Sequence, residues 1–243
     1  MHRKMMVIVL FIGIGLSFQG CENAASVSEI KNEAPKEKVS QSSSDTQITE
    51  KNKPQTVDKQ ANVGAKTSPK GPFKTFYVYS DGMARGNHYI PSGWMGDYGD
   101  IKIDEKYTTN PHSGTSCFKV VYNGKAAQGA RWAGIFWQNP PNNWGTRPGG
   151  YDLTGAKKAT FWARGDKGGE RIEEFKVGGI TGEYADSDVA GIGPVVLTPE
   201  WQEFTIDLEG KDLSSISGGF CWATNVDVNP DGCTFYLDEI KYE

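Results

Sequence analysis

The sequence predicts an all-β fold, a β-sandwich of the jelly-roll type, over residues 73–243. Three observations carry that reading. From Phe73 onward, short runs rich in β-branched and aromatic residues follow one another. Glycine, proline, asparagine or aspartate interrupts almost every gap between them. No window sustains a helical period. The composition agrees, with 30 glycines and 12% aromatic residues, a mix suited to a turn-rich β domain.

The predicted strands are Thr75–Tyr79, Ile101–Asp104, Ser116–Tyr122, Trp132–Trp137, Ala159–Arg164, Glu173–Val177, Val195–Leu197, Glu203–Leu208, Gly219–Ala223 and Thr234–Lys241. Most hold four to eight residues, and the order strand, turn, strand never breaks for a helix. About ten short strands in about 170 residues make a sandwich or jelly roll with one ample core.

The N-terminus carries a different pattern. His2, Arg3 and Lys4 precede an apolar run from Met5 to Leu16. That run is too short to span a bilayer, which takes roughly 20 residues, and reads as the apolar region of a signal peptide. Ser17-Phe18-Gln19-Gly20-Cys21 follows. A small residue directly before cysteine resembles the bacterial lipobox, which implies lipidation of Cys21 and a signal peptide over residues 1–21. Cleavage by an ordinary signal peptidase, with Cys21 incidental, is the competing reading. Residues 22–72 change character again. Segments such as Lys31–Lys38 and Ser40–Asp45 contain no aromatic residue and too little apolar surface to offset the entropy of ordering. They read as a disordered linker; a helix over Ala25–Lys38 is the weaker alternative. The expectation is an exported protein that meets the membrane through its lipid anchor alone. Glu22 after the cysteine fits sorting to the outer membrane in a Gram-negative cell.

Net charge is −4 over 243 residues, which leaves no electrostatic footprint for nucleic acid. Of the 4 cysteines, three remain after Cys21. Export permits disulfides. Cys221 and Cys233 lie on the last two predicted strands, and a hairpin around residues 225–232 would let them pair, with Cys117 left free and buried.

Three segments carry a resemblance to a known family. His112-Ser113-Gly114-Thr115-Ser116-Cys117-Phe118-Lys119-Val120 looks like a turn followed by a strand of the form HSG…LKV. Trp201-Gln202-Glu203-Phe204-Thr205-Ile206-Asp207-Leu208 looks like W-x-x-[FY]-x-[IV]-[DP]-L, and Phe235-Tyr236-Leu237-Asp238-Glu239-Ile240 like a closing FYLDD[IV] strand. In this order they resemble carbohydrate-binding modules with a galactose-binding-like jelly roll. The resemblance covers Phe73–Glu243 and implies non-catalytic binding of a polysaccharide or glycan by a monomeric domain. It also implies a structural calcium ion held by Asp238, the His112–Gly114 turn and Asp81, since calcium takes six to eight oxygen ligands. The plainer role for Asp238 is to accept backbone N–H bonds at a strand end.

Sugar rings present C–H bonds that stack on indole and phenol faces, while amides, carboxylates and guanidinium groups fix their hydroxyls. The chain combines these at Trp137-Gln138 and at Asn143-Trp144, with Trp94 and Arg164 as further candidates. Alternation puts Trp132, Gly134 and Phe136 on one strand face and Ala133, Ile135 and Trp137 on the other; only one face can enter the core. Glu174 and Lys176 share a face opposite Phe175 and Val177. Against each tryptophan stands the alternative of a core residue, and against Arg164 that of an ion pair with Glu174. A second reading of the domain is a structural or protein-interaction module. A third is a glycan hydrolase or lyase using acids among Asp97, Asp100, Glu173 and Glu174. Outside the signal peptide only His88 and His112 could serve as imidazole bases, and neither Gly-x-Ser-x-Gly nor His-Glu-x-x-His occurs.

Overall fold

The computed structural model describes residues 71–243. The signal peptide, Cys21 and the linker as far as residue 70 lie outside the described residues. Thirteen strands follow in chain order: β1 (Phe76–Tyr79), β2 (Ile90–Gly96), β3 (Ile101–Tyr107), β4 (Cys117–Tyr122), β5 (Trp132–Gln138), β6 (Lys158–Gly165), β7 (Arg171–Ile172), β8 (Glu174–Gly178), β9 (Val189–Ile192), β10 (Val195–Val196), β11 (Gln202–Asp207), β12 (Gly218–Asn225) and β13 (Cys233–Tyr242). A single 3-10 turn, Tyr98–Asp100, is the one helical element among the described residues.

Two antiparallel sheets build the sandwich. One runs β11-β6-β13-β4-β3, with β1 beside the far half of β13. The other runs β2-β5-β12-β8-β9, and β10 pairs with β7 in a small ribbon. Strict alternation sorts each strand. Phe118, Val120 and Tyr122 on β4, Phe161 on β6, and Phe235 and Leu237 on β13 face inward from the first sheet. Ala133, Ile135 and Trp137 on β5, Phe220 and Trp222 on β12, and Phe175 and Val177 on β8 meet them from the second. Aromatic rings interlock between the layers: Phe118 and Trp137 at 4.8 Å, Phe161 and Phe220 at 5.0 Å, Trp222 and Phe235 at 5.0 Å. The buried phenols find partners, Tyr242 Oη donating to Gly219 O at 2.7 Å and Tyr89 Oη to Ile216 O at 2.8 Å.

All ten expected strands form. Three more were not expected: β2, β7 and β9. β2 reads Ile-Pro-Ser-Gly-Trp-Met-Gly, a composition that argues for a loop. It is tolerated because β2 is an edge strand with a register shift between Pro91 and Gly93.

The expected hairpin of the last two strands does not form. β12 belongs to the five-stranded sheet and β13 to the other, so residues 226–232 cross from one layer to the next. Cys221 faces away from the core beside Phe136, whereas Cys233 stands on β13 opposite Tyr122. Both are free thiols, as is Cys117, and the expected Cys221–Cys233 disulfide is corrected accordingly.

Candidate functional site

The five-stranded sheet turns an aromatic stripe outward. On β5 the face opposite the core carries Trp132, Gly134 and Phe136. Cross-strand partners continue it, with Cys221 opposite Phe136, Ala223 opposite Gly134 and Asn225 opposite Trp132. On β8, Lys176 faces outward opposite Cys221 and Glu174 opposite Ala223. Met95 packs beside Phe136 from β2, and Ile180 from the loop after β8.

Gly134 sets the floor of this stripe. A Cβ there would stand 2.5 Å from Trp222 O and 3.1 Å from Met95 Cε, so no side chain fits between the two aromatic positions. Trp132 is 41% exposed at one end, over the backbone of Gly96. At the other end Trp144, 40% exposed, meets Phe136 edge-on at 6.0 Å. Four residues of strand separate Trp132 from Phe136, about 13 Å at the usual rise. Phe136 itself is 4% exposed, packed with Ile180, Cys221 and Met95 beside Trp144, so the exposed rings of the stripe are those of the two tryptophans.

Polar groups border the stripe. Lys176 Nζ pairs with Glu174 Oε2 at 2.9 Å and lies 5.4 Å from the Phe136 ring centre. A cleft of about 470 Å3, lined by Glu173, Glu174, Gly191, Ile192 and Gly193, opens alongside. A wider cleft of about 620 Å3 lies at loops 166–170 and 228–232, but it presents charged and glycine positions with no exposed ring.

Trp144 is positioned by the amides beside it. Gln138 Oε1 accepts from Ser92 Oγ at 3.1 Å and its Nε2 donates to Asn143 O at 3.0 Å. Asn143 Nδ2 donates to Arg147 O at 2.9 Å. Both amides are buried, so they hold the loop that carries Trp144 and do not face a ligand, a correction to their expected role. Gly145 follows at φ +74°, and a Cβ there would lie 2.0 Å from Thr181 O, so only glycine lets the loop seat here.

The remaining expected residues are dispersed. Trp137 is 1% exposed among Phe118 and Phe220 and belongs to the core, not to a sugar platform. Trp94, at 37%, is exposed nearly as much as Trp132 and Trp144. It stands opposite core-facing Ile135 on the edge strand, hence at the sandwich rim rather than in the stripe. Arg164 lies on the other sheet, 8% exposed, with its guanidinium 3.7 Å from the Tyr236 ring centre. It makes no ion pair with Glu174, whose partner is Lys176. Sequence reasoning sorted Trp132 onto a face with Phe136 but did not select it. The signal was present in the alternation; which face entered the core was not.

Three of the four acids considered for catalysis are engaged by partners, Glu174 by Lys176, whereas the Asp100 carboxyl is buried with one contact, from Ala127 N to Oδ2 at 3.4 Å, and no partner at Oδ1. Asp97 takes the backbone N–H groups of Gln128, Ala130 and Arg131. Burial opposes its charge, yet these bonds hold its carboxyl below the usual value. Glu173 pairs with Arg171 at 2.7 Å.

The expected calcium corner consists of Asp238, Asp81 and the turn at residues 112–116. Asp238 Oδ2 accepts from the N–H groups of His112 at 2.9 Å and Ser113 at 3.1 Å, and Oδ1 from that of Glu239 at 2.9 Å. Burial pushes its carboxyl up to about 6 against the pull of these bonds, so at neutral pH it is ionised and accepts all three. Asp81 Oδ2 accepts from Thr115 N and Oγ1, both at 2.9 Å, and Oδ1 from Ser116 Oγ. These carboxylate oxygens are committed to N–H and O–H donors, and two acids alone fall short of the six to eight oxygens a calcium ion takes, so the set does not fit the ion. Among the described residues no group of three or more His, Cys, Asp or Glu could hold a metal ion.

No family model matches the chain, and no curated protein matches it. Solved structures do. The family 30 carbohydrate-binding module of a cellulosomal cellulase of Clostridium thermocellum is 16% identical with a TM-score of 0.45, over 70% of this chain and 97% of that one. The family 11 module from Clostridium thermocellum, in complex with a β-1,3-1,4-mixed-linked tetrasaccharide, is 14% identical with a TM-score of 0.42, over 64% and 89%. A family 29 module is 8% identical with a TM-score of 0.41, over 70% and 91%.

Proposed function

We propose that the domain binds polysaccharide without transforming it, along the outer face of the five-stranded sheet, as a monomer. One observation carries the reading. Trp132 and Trp144 each expose about two-fifths of their surface at the two ends of an outward strip whose middle, at Gly134 and Phe136, is buried beneath Met95 and its neighbours. An apolar shelf with the Glu174–Lys176 pair at its side suits sugar rings, whose C–H faces stack while their hydroxyls meet charged groups. In the same proposal the domain is exported and held in the cell envelope by a lipidated Cys21. The mass of the mature N-terminus in membrane-extracted protein checks the anchor; an unmodified Cys21 removes it.

The binding test is affinity electrophoresis and tryptophan fluorescence against plant, algal and bacterial glycans. At least one polymer should retard the domain. Trp132→Ala and Trp144→Ala should each weaken binding about tenfold or more, as removal of a central aromatic contact does, while melting stays close to that of the parent. If no glycan in the panel retards the domain, the stripe is a surface for protein contact instead.

A further inference from the structure

The turn Pro111–Ser116 is gripped between two acids that stand far apart in sequence. On one side Asp238 receives three backbone N–H groups, and Ser113 Oγ adds a bond to Glu239 Oε1 at 2.7 Å. On the other, Asp81 receives one backbone N–H and two hydroxyls, and Ser116 Oγ in turn accepts from Gly82 N at 3.0 Å. Hydroxyls can rotate to offer an oxygen to a cation. Backbone N–H groups cannot, and four of them point at these carboxylates.

We propose that this corner is a metal-free clamp: hydrogen-bond donors of the turn occupy the place a divalent cation would take between Asp81 and Asp238. A calcium ion sits about 2.3–2.6 Å from its oxygens, where here it would meet the positive ends of the N–H dipoles. The donors do the ion's mechanical work. They join the loop after β1, the turn before β4 and the bulge of β13, where the register shifts between Asp238 and Lys241. They also seat His112, whose ring stacks on Trp162 at 3.7 Å and 15°. The clamp is independent of which ligand the opposite sheet binds.

Thermal melting of the wild-type domain in EGTA and in millimolar calcium tests this. The two melting temperatures should agree within about 1 °C. A native-state calcium site filled to a hundred times its dissociation constant would separate them by roughly 5–10 °C in a domain of this size. The mild variant Thr115→Val, which removes one hydroxyl donor, should lower melting equally in both media. A calcium-dependent rise that disappears in Asp238→Asn or Asp81→Asn, or a Thr115→Val defect confined to calcium, overturns the proposal. A rise that survives both acid substitutions places the ion elsewhere and leaves the clamp standing.

Discussion

Replacing Trp137 by alanine is expected to lower stability by about 3–5 kcal/mol, the range for truncating a large aromatic in a core. The indole is 1% exposed and lies 4.8 Å from Phe118 on the opposite sheet and 5.6 Å from Phe220 beside it. Its removal opens a cavity between the layers that close packing cannot refill without moving both sheets. Urea unfolding with unchanged m-value is the measurement. Residual glycan affinity below the melting transition should match the parent, because the outward side of β5 keeps its rings. A loss under 1 kcal/mol would take Trp137 out of the core. The same substitution at Trp144 should give the reverse pattern, so the pair separates a packing indole from a surface one on neighbouring parts of the chain.

The second large effect is expected at Asp97. Its carboxylate is buried and accepts the N–H groups of Gln128, Ala130 and Arg131, while its own N–H donates to Trp132 O at 2.7 Å. Asp97→Ala leaves three backbone donors without partners in the loop that delivers Trp132 to the sheet. Gln128, Ala130 and Arg131 are themselves exposed, so water can meet part of the loss, but bonds to an ionised carboxylate are stronger than neutral ones and three are lost at once. Melting should fall by roughly 10 °C. Any glycan bound through Trp132 should dissociate faster as its platform loosens. Asp97→Asn, which keeps an acceptor oxygen, should recover part of both losses. A variant Asp97→Ala that melts with the parent would mean that the loop finds other acceptors.

Alternation made most of this fold legible. Ten strands followed from β-branched and aromatic runs between turn residues, and the faces of β5 and β8 were sorted correctly by period alone. Alternation does not say which face points inward, since Trp132 and Phe136 look as apolar as Ile135 and Trp137. That choice depends on the opposite sheet, through Phe118 and Phe220, and it moved Trp137 from platform to core. The amides failed for a related reason. Gln138 and Asn143 sit next to tryptophans in sequence, but their side chains turn inward to satisfy a loop backbone. β2 was hidden because an edge strand tolerates proline and glycine that a central strand would not. The cysteine pairing failed on topology: adjacent strands in sequence went to different layers, a feature of the sandwich that no local pattern records.

Three reduced cysteines in a domain with no crosslink among the described residues bear on oxidation chemistry. Burial raises all three thiols, those of Cys117 and Cys233 to about 12. At neutral pH the reactive thiolate of these two is then on the order of one part in a hundred thousand, against a few per cent for a solvated cysteine. Raised thiols slow both disulfide exchange and attack on peroxide, since the thiolate is the reacting form. Chains that have not yet folded present all three sulfurs at their ordinary reactivity, whereas the folded domain leaves only Cys233 partly exposed. In an oxidising milieu the speed of folding, more than the strength of the fold, decides how many molecules escape mispaired crosslinks.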